Sequence, residues 1–191
     1  MPDNQVLNPF MIFMKHLVFF FLFQCLGTVL FAQHYTPRDD GSKVGFKIRN
    51  FGFNVEGFFK GLQGDIHFDP NDPAHSSFDV SVDAASVNTD NELRDSHLKK
   101  EGYFDVQKHP HIRFVSTKVM ASGKNGCFVL YGKLTIKDQT KDLSFPFTAT
   151  PLNGGTIFSG EFKINRRDFG IGGSSTISDE LTVSLNVMAL R

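Results

Sequence analysis

Leu181-Thr182-Val183-Ser184-Leu185-Asn186-Val187 alternates an apolar with a polar residue at every step. Successive side chains of an extended chain point to opposite faces, so this stretch has one oily face and one wet face. A helix would scatter the same residues around its circumference. The pattern predicts a half-buried strand. Working outward from it, the alternation recurs in Leu143, Phe145, Phe147 and Ala149, in Phe78, Val80 and Val82, in Leu62, Gly64, Ile66 and Phe68, and in Val44, Phe46 and Ile48. Less regular candidates at residues 112–119, 127–136 and 156–164 bring the total to about eight strands. Turn-forming tracts punctuate them, among them Asp69-Pro70-Asn71-Asp72-Pro73, Ala121-Ser122-Gly123-Lys124-Asn125-Gly126 and Leu152-Asn153-Gly154-Gly155.

Three features interrupt the alternation. The apolar phase slips at Arg49-Asn50, putting Phe51, Phe53 and Val55 in register, and slips back at Lys60-Gly61; bulges or sharp bends there would curl a sheet toward a barrel. Pro146, inside an otherwise good strand, marks an edge or bulge position. Residues 90–102 read as a helix, capped by Asp90 and ended by Gly102, with Leu93, Leu98, Tyr103 and Phe104 supplying its apolar contacts. A lone helix between strands is placed to cover one mouth. The fold class is therefore all-β, either a closed barrel or a two-sheet sandwich, and period alone does not choose between them.

Composition narrows the function classes. Twenty basic residues balance twenty acidic ones, and no basic stripe tracks phosphates, so nucleic acid is excluded as an expected partner. The large apolar volume comes from 22 Phe against three Tyr and no Trp, a ring without hydrogen-bonding demand. Met14, Lys15 and His16 precede the apolar runs Leu17 to Phe23 and Leu26 to Phe31. That is short for a membrane span, and residues 1–32 read as an export signal cut after Ala32, with Met14 as an alternative start. No stable span remains once the signal is removed. Bulky Gln24 before Cys25 argues against a lipid-modified cysteine. Residues 33–191 are then one exported domain, periplasmic or secreted, whose single Cys127 forms no internal disulfide.

Candidate chemistry is thin. Of seven His residues, His109 and His111 with His97 upstream are the best metal set, but no Cys or carboxylate sits at supporting spacing, and no metal is expected. Arg94, Asp95 and His97 read as an ion pair anchoring the helix across the mouth. Ser96 lacks a strand-turn-helix elbow, and Cys127 in a strand reads as an inert thiol. The tract Gly170-Ile171-Gly172-Gly173-Ser174-Ser175 lacks a P-loop lysine and reads as a hairpin loop. An enzyme is not expected.

Taken in order, the motifs resemble the YceI-like family: Val44 to Asn50, Val55-Glu56-Gly57-Phe58-Phe59, Gly64 to Asp69, Asn88-Thr89, Arg94-Asp95-Ser96-His97-Leu98-Lys99, Tyr103-Phe104-Asp105-Val106, Pro110 to Phe114, Gly132 to Ile136, Lys141 and Asn165 to Gly170. The resemblance implies an eight-stranded antiparallel, lipocalin-like β-barrel with the helix capping one end. It also implies a periplasmic role in binding polyisoprenoid or similar lipids, and leaves room for a homodimer through an exposed strand edge. Gly41-Ser42 stands where the family commonly has His-Ser. The ligand-lining candidates on this reading are Phe46, Ile48, Phe114, Leu134, Phe145, Phe147, Phe162, Ile164, Val183 and Leu185, with Leu93, Leu98 and Phe104 at the helical mouth. Arg94 and His97 are the candidates for a polar head group. The expected ligand is an isoprenoid-type or quinone-like lipid, with no separate cofactor. The alternative is a non-lipid stress-protective or interaction module whose barrel core is solid, since alternating Phe also describes ordinary core.

Overall fold

The computed structural model describes residues 32–173 and 176–191. The expected export segment, apart from Ala32, and Ser174-Ser175 of the glycine loop lie outside them. Eight strands follow one another: β1 (Gln33–Asn50), β2 (Phe53–Phe68), β3 (Ser77–Asn88), β4 (His111–Ala121), β5 (Cys127–Ile136), β6 (Gln139–Leu152), β7 (Gly155–Asn165) and β8 (Ile177–Leu190). Each pairs antiparallel with the next, and β8 pairs with β1, so the sheet is a closed barrel and not a sandwich. The first and last strands, which would be free edges of an open sheet, are thereby used up. The exposed edge expected for a homodimer is not found there.

Register follows the apolar phase. Val183 of β8 faces Phe46 of β1 on one side and Phe162 of β7 on the other, and Leu181 likewise faces Ile48 and Ile164. A slip of one residue would turn all these side chains to water, which is why the alternation specifies the pairing. β1 starts well before the alternation that marks it: Gln33 to Tyr35 pair with β2, and the ladder to β2 resumes at Val44 after an irregular stretch.

The two phase slips have different origins. At the first, Asn50 pairs with Phe53, and Phe51 and Gly52 take φ of 49° and 83°, the backbone of a two-residue hairpin turn. Phe51 and Phe53 are 72% and 76% exposed at its tip, and the odd phase that they open is first covered at Val55, opposite Ile48. The second is a true irregularity in the β2–β3 pairing, between Phe58 and Gln63. Gly61 takes φ 72° there, and Asp39 accepts the Gly61 and Leu62 N–H groups at 2.8 Å each.

The helix α1 (Glu92–Leu98) is shorter than residues 90–102. Asn91, not Asp90, caps it, accepting the Arg94 N–H at 2.9 Å, while Asp90 sits at φ 57°. Gly102 lies beyond the helix; its carbonyl accepts the Gly172 N–H at 2.8 Å and ties the segment after α1 to the β7–β8 connection.

The interior is packed at both ends. At one end the Phe68 ring, 2% exposed, meets Phe128 and Phe158 edge-on at 5.0 and 5.3 Å, with Tyr35, Ile66, Phe78 and Phe147 around it. At the other, Phe104, Val106, Phe169 and Ile171 pack with Leu134 and Ile136.

Candidate functional site

Between the two clusters lies a cavity of about 250 Å³ to which all eight strands contribute. The inward residues at its middle, Phe46, Ile48, Val80, Phe114, Phe162, Val183 and Leu185 among them, are only half-buried, because they face a void and not one another. The solid core of the alternative reading is not what fills the barrel. Two glycines seat rings that line the cavity. A Cβ on Gly132 would stand 2.4 Å from the Phe114 ring, and one on Gly57 would stand 2.5 Å from the Phe46 ring. Each ring thus occupies the place of a missing side chain on the neighbouring strand.

Of the expected ligand-lining residues, Phe46, Ile48, Arg94, Leu98, Phe104, Phe114, Leu134, Phe145, Phe147, Phe162, Ile164, Val183 and Leu185 line this cavity. Leu93 and His97 do not. Leu93 is 84% exposed, and His97 packs on the Tyr103 ring at 4.8 Å between centroids. The reason is helical period: Arg94 and Leu98 share one face at a spacing of four, and Leu93 and His97 share the next, about 100° away. Val55, Phe59, Leu62, Ile112 and Leu181 join the lining, and strand parity would have found most of them.

A polar corner interrupts the apolar wall beside α1, at Thr89 and Arg94. Thr89, at the end of β3, donates from its N–H to Asp95 Oδ1 at 2.9 Å, and its hydroxyl also donates to that oxygen. Arg94 Nε donates to Thr89 Oγ1 and Nη2 to the Thr89 carbonyl, both at 2.7 Å. The expected ion pair between Arg94 and Asp95 is therefore not formed, because each bonds Thr89 instead. Among the described residues Arg94 has no carboxylate partner, and its Nη1 is left without a protein acceptor at the cavity wall. A guanidinium fixed by two of its nitrogens and open at the third presents a directed, charged donor.

Arg166, which sequence reading assigned no role, also reaches the cavity but has nothing left to offer. It is 4% exposed and donates to the carbonyls of Ile171, Ser178 and Ile177 at 2.7, 3.0 and 3.2 Å, with Asp179 at 2.9 Å. It ties Ile171 and Gly173, after β7, to Ile177 and Ser178 at the start of β8. The only sequence signal was a basic pair at a strand end before a glycine tract.

The remaining candidates stay apart. His109 lies 4.0 Å from Asp105 and His111 3.5 Å from Gln63, and among the described residues no three metal-ligating side chains converge. Cys127 is a half-buried free thiol and Ser96 is exposed. No helix among the described residues is long and apolar enough to cross a membrane.

Known proteins resemble this chain in sequence or in fold. The UPF0312 protein of Pseudomonas savastanoi pv. phaseolicola is 33% identical over 176 residues, covering 84% of this chain and 91% of that protein. BcnA of Burkholderia cenocepacia superposes with a TM-score of 0.73 at 26% identity, over 77% of this chain and 95% of that one. A polyisoprenoid binding domain from Saccharophagus degradans, implicated in plant cell wall breakdown, superposes with a TM-score of 0.67 over 82% and 97%; at 13% identity it speaks to the fold alone. The family model of the YceI-like domain matches residues 35–189. With a lipocalin-like closed barrel and a match across nearly its whole described length, the chain belongs to the YceI-like domain family.

Proposed function

We propose that this protein is an exported, non-enzymatic carrier or store for an isoprenoid-type lipid, its signal removed at or near Ala32. The observation that carries the reading is a cavity inside a closed barrel, walled mainly by aliphatic and aromatic side chains, at which Arg94 has a guanidinium nitrogen with no acceptor among the described residues. The apolar tail lies among Phe46, Phe114, Phe145, Phe162, Val183 and Leu185, where each buried CH₂ contributes about 0.8 kcal/mol. The head group, an oxygen acceptor such as a phosphate or a quinone carbonyl, takes the Nη1 donor of Arg94. Membership of the YceI-like domain family, whose resemblance implies polyisoprenoid or similar lipids, supports the choice of lipid class.

Titration of delipidated protein with geranylgeranyl phosphate and with geranylgeraniol tests the reading. Both bind, the phosphate more tightly, and Arg94→Gln removes that difference while leaving the alcohol nearly unaffected. A charged hydrogen bond of this kind is worth about 1.5–3 kcal/mol, a difference of roughly ten- to a hundredfold in affinity. Failure of either lipid to bind overturns the assignment.

A further inference from the structure

The ladder between β6 and β7 stops halfway. It runs from Leu152 paired with Gly155 to Phe147 paired with Gly160, and no pair follows among the described residues. The strands do not stop there. β6 keeps its partners on β5 as far as Gln139, and β7 keeps its partners on β8 as far as Asn165. The two therefore part toward the helical end and leave a seam in the barrel wall.

Sequence explains where it begins. A Cβ on Gly160 would lie 3.1 Å from the Pro146 carbonyl oxygen, so that carbonyl faces β7. The N–H and C=O of a strand residue point to the same side, so the donor that Pro146 lacks is the one β7 would have used. Inside, the seam is closed by two rings. Phe145 and Phe162 stack across it with centroids 4.5 Å apart and planes 31° apart, and both line the cavity. The other short ladder, β3 with β4, ends at Asp83 paired with His111, but chain backs it: the Ala84 N–H donates to the Pro110 carbonyl at 2.8 Å, and Phe104 and Val106 pack over Ala84 and Val87. Opening there means moving backbone. Opening the β6–β7 seam means turning two phenyl rings, with no ladder hydrogen bond to break.

We propose that the β6–β7 seam is a lateral portal through which the apolar tail of the ligand passes into the barrel, with Phe145 and Phe162 as its gate. The inference rests on the lipid-binding reading above. It assigns Pro146 a purpose: a donor placed there would zip the ladder toward Leu143 and Ile164 and close the wall.

Cross-linking tests it. Continuing the register from Phe147 and Gly160 sets the exposed Ser144 opposite the exposed Lys163. In the full chain with Cys25 and Cys127 replaced by Ser, Ser144→Cys with Lys163→Cys is joined by a short bis-maleimide, and uptake of a dansyl-labelled geranylgeranyl chain is followed by stopped flow. Thr135→Cys with Thr140→Cys, joined in the same way across the intact β5–β6 ladder, is the control. The seam link slows uptake by about tenfold or more, as closure of a gating element does, and the control link leaves the rate unchanged. Pro146→Val, which needs no cross-link, slows uptake in the same direction. Equal rates with the seam linked and unlinked overturn the portal while leaving lipid binding intact. An absence of uptake by the unlinked protein overturns the lipid reading, and the portal with it.

Discussion

Leu185→Trp separates a hollow barrel from a packed one. Leu185 faces the cavity, and its neighbours in register are small, Val44 on β1 and Gly160 on β7. A void of about 250 Å³, at roughly 24 cal/mol per Å³, costs the lipid-free fold on the order of 6 kcal/mol. That is comparable with the whole stability of many domains, about 5–15 kcal/mol. An indole in place of isobutyl adds on the order of 60 Å³ and so returns about 1.4 kcal/mol of that cost. For a domain of this size the midpoint of thermal unfolding rises by roughly 3–6 °C. Delipidated wild type and variant are compared by calorimetry, and both are then titrated with geranylgeraniol, for which the variant has less room and lower affinity. A fall in stability of about 1–3 kcal/mol, the cost of forcing volume into a full core, refutes the reasoning.

Asp95→Ala leaves the buried Thr89 N–H without its acceptor and loosens α1, so urea unfolding detects a loss of about 1–3 kcal/mol. Asn91→Ala removes the cap of the same helix at about 1 kcal/mol and leaves the β ladders intact by amide exchange. Arg166→Met strips the donors from the carbonyls of Ile171, Ile177 and Ser178, and unfolding measurements register a loss of about 2–4 kcal/mol. On the outer wall, Arg113 holds the Asp79 carboxyl below its ordinary value of 3.8 by a bidentate contact. A carboxylate lowered in the folded state stabilises above its unfolded value, and that contribution disappears as pH falls from near 3.8 through the lowered folded value. The pair is about half exposed, so the effect is small, and Asp79→Asn flattens the pH dependence of stability in that window alone.

Much of the barrel is legible in the sequence because period two has one cause, a wall with an oily inside. The stretch Leu181 to Val187 reads correctly at every position: all four apolar residues face the cavity. Legibility fails where apolar residues do something else. Of the phase Phe51, Phe53 and Val55, Val55 lines the cavity, while Phe51 and Phe53 ride a hairpin tip and face water. Alternation cannot distinguish a bulge from a turn when the turn residues are themselves aromatic. The head of the site shows the limit of composition as a guide. Arg94 and His97 look equivalent in the motif, yet three residues of helix put one at the cavity and the other on Tyr103. The void itself is invisible to period, since a solid and a hollow barrel share the same inward residues. It becomes visible only through the half-burial of Phe46, Phe114 and Val183 and the ring seats at Gly57 and Gly132.

The proposed function requires a lipid in the space among these rings. Organic extraction of the protein purified from its native host, followed by mass spectrometry, tests it most directly. One prenyl-chain species is expected, recovered near one per protein and in smaller amount from Leu185→Trp. Repeated preparations that carry no prenyl lipid, from protein that also takes up none when it is offered, would contradict it.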